Sequence, residues 1–164
     1  MNILKLLYTS LFLILIGCSS SINSKVIDGL TYNVFNYSKD YYGNIRVNNS
    51  GIANVDDVEF IGSYEGSGEY CCISVDVSKN IVINYDLIKG NSKPLNKNKE
   101  AIFFNNSKKG SNLILHILPN ENFVIEITDE LPEPSQIILD EFLKKNKIKR
   151  KELDDPSSWR LIND

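Results

Sequence analysis

Cys71-Cys72-Ile73-Ser74-Val75-Asp76-Val77 is followed by Ser78-Lys79-Asn80 and then by Ile81-Val82-Ile83-Asn84-Tyr85-Asp86-Leu87. On both sides of the polar triplet the side chains alternate with a period of two, the signature of half-buried strands. Cys71, Ile73, Val75 and Val77 fall on one face, with Cys72, Ser74 and Asp76 on the other. Ile81, Ile83, Tyr85 and Leu87 likewise oppose Val82, Asn84 and Asp86. The triplet between them reads as a hairpin turn. Working outward, residues 113–118 and 123–128 flank Pro119-Asn120-Glu121-Asn122 as a second hairpin, with residues 101–105 beside it. Residues 26–34, 44–47 and 58–61 complete the strand set. Residues 62–68 read as a flexible glycine-rich loop, and residues 89–99, with four lysines, as a polar linker.

This pattern predicts a mainly β fold, an antiparallel sandwich-like domain, closed by one C-terminal α-helix. The helix starts at Pro134-Ser135, where proline suits a first turn and serine a cap. Ile138 with Phe142, and Leu139 with Leu143, lie four apart and form its buried stripe. It runs into Lys144, Lys145, Lys147, Lys149, Arg150 and Lys151, read either as a solvated helix end or as a contact for anionic head groups. The chain therefore divides into residues 1–17, 18–25, a β domain over 26–132, the helix with its basic end over 133–151, and a tail over 152–164.

The first two of these segments carry an address. Lys5 precedes a run of apolar residues ending at Leu15-Ile16-Gly17-Cys18, with Ser19-Ser20-Ser21 at once behind it. The run is about half a membrane span, which fits a signal-peptide core. Its end resembles a bacterial lipobox, which implies removal of residues 1–17, acylation of Cys18 and retention on the periplasmic face of the outer membrane. Several acyl chains on one residue hold firmly, at about 0.8 kcal/mol per buried methylene. The seven residues after Cys18 reach at most roughly 23–25 Å, so the domain works close to the lipid surface.

Composition bounds the function. With 164 residues, 42% apolar and 24% charged, the chain is one folded domain and not a disordered one. A net charge of −3 argues against a nucleic-acid partner. One histidine and three cysteines, with Cys18 assigned to lipid, leave no metal-ligand set, and no cofactor motif is found. The 62–68 loop lacks the lysine and following helix of a phosphate cradle. His116, within a strand and without a recognisable nucleophile or elbow, reads as structural. Cys71 and Cys72 are adjacent, and a regular strand sends them to opposite faces. Two separate thiols, with Cys71 in the core, are therefore expected, a vicinal disulfide being the alternative. Finally, Asp56, Asp57, Glu59, Glu65, Glu69 and Asp76 stand together with no Lys or Arg among them. With Tyr64 and Tyr70 as aromatic anchors, Asp56, Asp57, Glu59, Glu65 and Glu69 form a candidate partner-contact surface.

Asn36-Tyr37, the glycine-rich approach to Cys71-Cys72-Ile73-Ser74-Val75, and Leu113-Ile114-Leu115-His116-Ile117-Leu118-Pro119 followed by Phe123-Val124-Ile125-Glu126-Ile127 resemble an uncharacterised bacterial lipoprotein family. That family carries adjacent cysteines after a glycine-rich loop. The resemblance spans residues 30–135, and departs where Val77-Ser78-Lys79-Asn80 stands in place of the family's Pro and Trp segment. It implies an immunity lipoprotein, non-catalytic, that binds and blocks a type VI secretion phospholipase effector. The alternatives are an envelope assembly or ligand-binding lipoprotein, which needs a concave apolar pocket, and an enzyme, which needs convergent titratable groups.

Overall fold

The computed structural model describes residues 25–149 and 156–160. The signal segment, Cys18, Arg150, Lys151 and most of the tail lie outside the described residues. Eight strands form the domain: β1 (Val26–Asn36), β2 (Tyr41–Val47), β3 (Ser50–Val55), β4 (Glu65–Asp76), β5 (Ile81–Ile88), β6 (Leu95–Lys108), β7 (Asn112–Leu118) and β8 (Asn122–Thr128). Among the described residues a helix, α1 (Gln136–Asn146), follows, and then a short 3₁₀ turn at Pro156–Ser158.

The strands make one sheet in the order β3-β2-β5-β6-β8-β7-β1-β4. Side chains from both ends of that order meet in a single core: Ala53 and Val55 of β3, Ile73 and Val75 of β4, with Leu30, Tyr32, Val34, Ile83, Leu115 and Ile125 between them. The sheet is therefore curled into a barrel-like shape, and the two layers of a sandwich are opposite walls of it. Gly51 marks the close approach of those ends. Its φ is +70°, and an added Cβ would stand 3.1 Å from Ile73 Cγ2 and 3.3 Å from Tyr32 Cδ1.

Mainly β character and the C-terminal helix agree with the sequence reading, and so does the β7–β8 hairpin with β6 beside it. Pairing partners differ in three places. β4 and β5 are joined by a turn but do not pair: β4 lies on β1, while β5 lies between β2 and β6. In the turn between them the Ser78 N–H donates to Asp76 Oδ1 at 3.1 Å. Two pairings, β1–β7 and β6–β8, are parallel. The expected linker contributes its second half to β6, with Leu95 through Lys99 bonded opposite Leu87 through Ile83. Residues 58–61 form no named strand. Val58 is buried and tied by its N–H to Ser38 O, and Ser63 N–H turns back to Phe60 O.

The outer face of β1, β7 and β8 is covered by α1. Ser135 caps the helix by accepting from Ile138 N, and Lys147, left-handed at φ 55°, ends it. Ile138, Leu139 and Leu143 are buried on Phe35, Tyr37, Ile114 and Leu118, with Trp159 closing the layer.

Candidate functional site

Two regions bear on function: the acidic edge of the sheet, and the polar chain buried between sheet and helix. Glu65 and Glu69 are exposed on the edge strand β4, opposite Asn36 and Asn33 of β1. They belong to a strand and not to a free loop. Asn36 also gathers the preceding segment, since its Nδ2 donates to Asp56 O at 2.7 Å and to Asp40 O at 2.8 Å. Asp56, Asp57 and Glu59 are exposed. None of these five acids has an ion-pair partner among the described residues. Asp76 departs from the set: Lys79 Nζ lies 3.1 Å from its carboxylate, and the Ser78 hydroxyl and Lys79 hold it at about 2, below the usual range. Of the two aromatics, Tyr70 is half-buried against Tyr32, and Tyr64 packs edge-on to Phe35 and Trp159.

Cys71 and Cys72 stand at this edge, and here the sequence expectation fails. They form a vicinal disulfide across a cis peptide, and both side chains are exposed. The register explains the exposure. Leu30 and Tyr32, two apart on β1, face Ile73 and Tyr70, three apart on β4. One extra residue in β4 breaks the alternation, so the inward face of Ile73 and Val75 does not extend back to Cys71.

His116 is fully buried within β7. β1 places Phe35 beside it and β8 supplies Glu126 one step along. Its Nε2 lies 2.9 Å from Glu126 Oε1, and its Nδ1 lies 2.8 Å from the Tyr37 hydroxyl. The same Glu126 Oε1 accepts from Arg160 Nη2, and Arg160 Nη1 donates to Glu130 at 3.2 Å. At the other end the Ser135 N–H donates to the Tyr37 oxygen at 2.9 Å. An ionised Glu126 only accepts, so Nε2 carries the proton; Nδ1 then accepts from the Tyr37 O–H. Every group in the chain is satisfied by a neutral imidazole.

The electrostatics follow. Burial pushes His116 below its ordinary 6.5, opposing the pull of Glu126, and the Arg160 charge pushes the same way as burial. Burial works to raise Glu126, but the His116 hydrogen bond and the Arg160 charge outweigh it and hold the carboxyl below its usual range. Burial raises Tyr37 far above an ordinary phenol. With both ring nitrogens engaged and no exposed surface, His116 reaches no external molecule in this arrangement.

Sequence reasoning missed the partners Tyr37, Glu126 and Arg160, and the cover Trp159. The one available signal is Trp159 itself, the sole tryptophan of the chain. A third feature was expected only under the ligand-binding alternative. A groove of about 490 Å³ runs between α1 and the β6–β8 pair, floored by Ile102, Phe104, Val124 and Phe142 and edged by Lys99 and Lys145. Among the described residues no group of acidic, histidine and cysteine side chains is placed to hold a metal ion. Comparison with models of known families, with curated proteins and with solved structures gives no match.

Proposed function

We propose that the chain is a membrane-anchored periplasmic immunity lipoprotein that binds and neutralises a type VI secretion phospholipase effector. The observation that carries the reading is the exposed acidic edge, where Glu65 and Glu69 project from β4 and Asp56 is tethered to the adjoining strand end. An effector that attacks anionic membrane needs a basic approach surface, and a cluster of unpaired acids competes for that surface. Complementary charge mainly raises the association rate, which reaches about 10⁸–10⁹ M⁻¹s⁻¹ at low salt. The resemblance of residues 30–135 to the lipoprotein family supports the same role. Acylation of Cys18 would hold the inhibitor where the enzyme meets its substrate.

The test is a phospholipase assay on vesicles with a purified type VI secretion phospholipase effector, with and without an equimolar amount of the purified domain. Inhibition together with co-purification is the expected result. Full phospholipase activity in the presence of excess domain overturns the reading.

A second reading, an envelope ligand-binding lipoprotein, is favoured by the groove beside α1, with its apolar floor and charged rim, whose volume lies in the range of small-molecule sites. Protection of Phe104 and Phe142 resonances by an acyl-chain amphiphile, without inhibition of the effector, would move the assignment to it.

A further inference from the structure

Residues 156–160 lie over the outer aromatic face, with Trp159 and Arg160 among the residues that dock them there. The Trp159 ring is 3% exposed, 5.6 Å from the Tyr37 ring and 5.2 Å from that of Tyr64. The Arg160 guanidinium binds Glu126 and Glu130, while its backbone N–H donates to Pro134 O at 2.9 Å. The decisive detail is that His116 and Arg160 share one acceptor, Glu126 Oε1.

With neutral His116 the layer holds one carboxylate and one guanidinium, and is balanced. A proton on Nδ1 changes both the count and the bonding. The imidazolium and the guanidinium then compete for a single buried carboxylate. The Tyr37 oxygen, already accepting from Ser135 N–H, would also have to accept from Nδ1, and its own proton would lose its acceptor. Other groups near this layer do not offset the charge: Phe35 comes from β1, Val124 from β8, and α1 presents Ile138, Leu139 and Leu143. Glu130 is 69% exposed, and among the described residues its carboxylate reaches Arg160 alone. His116 is fixed within β7 and fully buried, whereas the Arg160 side chain is 15% exposed.

We propose that Trp159 and Arg160 form a proton-gated latch, in which a proton taken up by His116 displaces Arg160 from Glu126 and lifts residues 156–160 off the face of Phe35, Tyr37 and Tyr64. Opening restores charge balance, because Arg160 regains water while Glu126 keeps the imidazolium. It also uncovers Tyr64, which adjoins Glu65, so the surface offered to a partner differs between the two states.

The sequence supplies both reporters, one tryptophan and one histidine. Trp159 emission and its quenching by acrylamide are followed in the full chain from neutral pH to about pH 5, with far-UV circular dichroism recorded in parallel. The His116 ring is titrated by NMR over the same range. A red shift and a several-fold rise in quenching, at the midpoint of His116 and with the β signal intact, are expected. Trp159 that stays shielded until the β signal is lost, or that stays still while His116 titrates, overturns the latch. His116→Gln should remove the step. Arg160→Gln, at a partly exposed site, should loosen Trp159 already at neutral pH and abolish its pH dependence. Should His116→Gln fail to fold, Arg160→Gln decides: a shielded Trp159 with an unchanged step refutes the proposal.

Discussion

Replacing Tyr37 by Phe isolates the buried hydrogen-bond chain from the packing around it. The ring stays, with its stacking at 5.8 Å on His116 and 5.6 Å from Trp159, so no cavity opens. The hydroxyl alone is lost, and two buried groups lose their partner at once: the Ser135 N–H at the start of α1 and the Nδ1 of His116. The imidazole has no tautomeric escape, because Glu126 requires the proton on Nε2. Each orphaned group costs about 1–3 kcal/mol, so the sum is about 2–6 and a central expectation is ~3–4 kcal/mol. For a domain of this size about 2–4 °C is lost per kcal/mol, so Tm should fall by roughly 10 °C. Tyr32→Phe is the matched control. The Tyr32 hydroxyl is buried with no partner, so removing it should leave stability unchanged or raise it by about 1 kcal/mol. Thermal unfolding of both variants by circular dichroism checks the pair. A double-mutant cycle of Tyr37→Phe with His116→Phe should show coupling above about 1 kcal/mol. A Tyr37→Phe loss no larger than that of Tyr32→Phe, or additivity in the cycle, refutes the assigned bonding.

Three further outcomes are expected. Stability should depend on pH through His116 and Glu126. Both have native pKa values below their ordinary 6.5 and 4.5, so the unfolded chain binds more protons as pH falls. Stability is therefore highest above 6.5, declines as pH drops through it and declines again below 4.5; denaturant midpoints at several pH values measure this, and His116→Phe should remove the upper step. Reversing Glu65 and Glu69 to Lys should slow association with the effector several-fold and flatten its salt dependence, while stability stays within about 0.5 kcal/mol, since both are exposed. Stopped-flow kinetics at two salt concentrations would expose an unchanged rate. Cys18→Ser should leave uncleaved precursor or a soluble form with residues 26–164 folded, and palmitate labelling that persists in this variant would disprove the anchor.

The period-two pattern makes inward-facing residues legible but not their neighbours. Ile81, Ile83, Tyr85 and Leu87 face the core as their alternation requires, yet nothing in that pattern distinguishes pairing with β4 from insertion between β2 and β6. The parallel pairs are hidden for the same reason. The first half of β6 escaped because its side chains are almost all exposed, which removes the alternation while the backbone bonds to β5 remain. The start of the helix was legible, since its cap and stripe are local, with Ser135 and Ile138 three residues apart; its end was not, since it stops at Asn146 with Lys147 left-handed, short of residue 151. The buried chain was not, since Tyr37 and His116 are separated by 79 residues and meet only through the β1–β7 register.

Cys71 and the acidic edge show how one local irregularity governs what this surface presents. β1 and β4 slip register at three points, and at two of them β4 carries the extra residue: between Ile73 and Tyr70, and between Glu69 and Gly66. Each slip exchanges the faces of the residues beyond it. The first turns Cys71 out of the core. The second falls between Glu69 and Gly66, so Glu65 and Glu69 stand on either side of an irregularity in the edge strand, a feature that discourages pairing with another chain. Gly68, at φ +76° with open space around it, absorbs the distortion between them. An edge protected in this way against indiscriminate strand addition leaves side-chain charge as its means of selecting a partner. That is why the proposed contact is tested by charge reversal at Glu65 and Glu69 and not by blocking the strand.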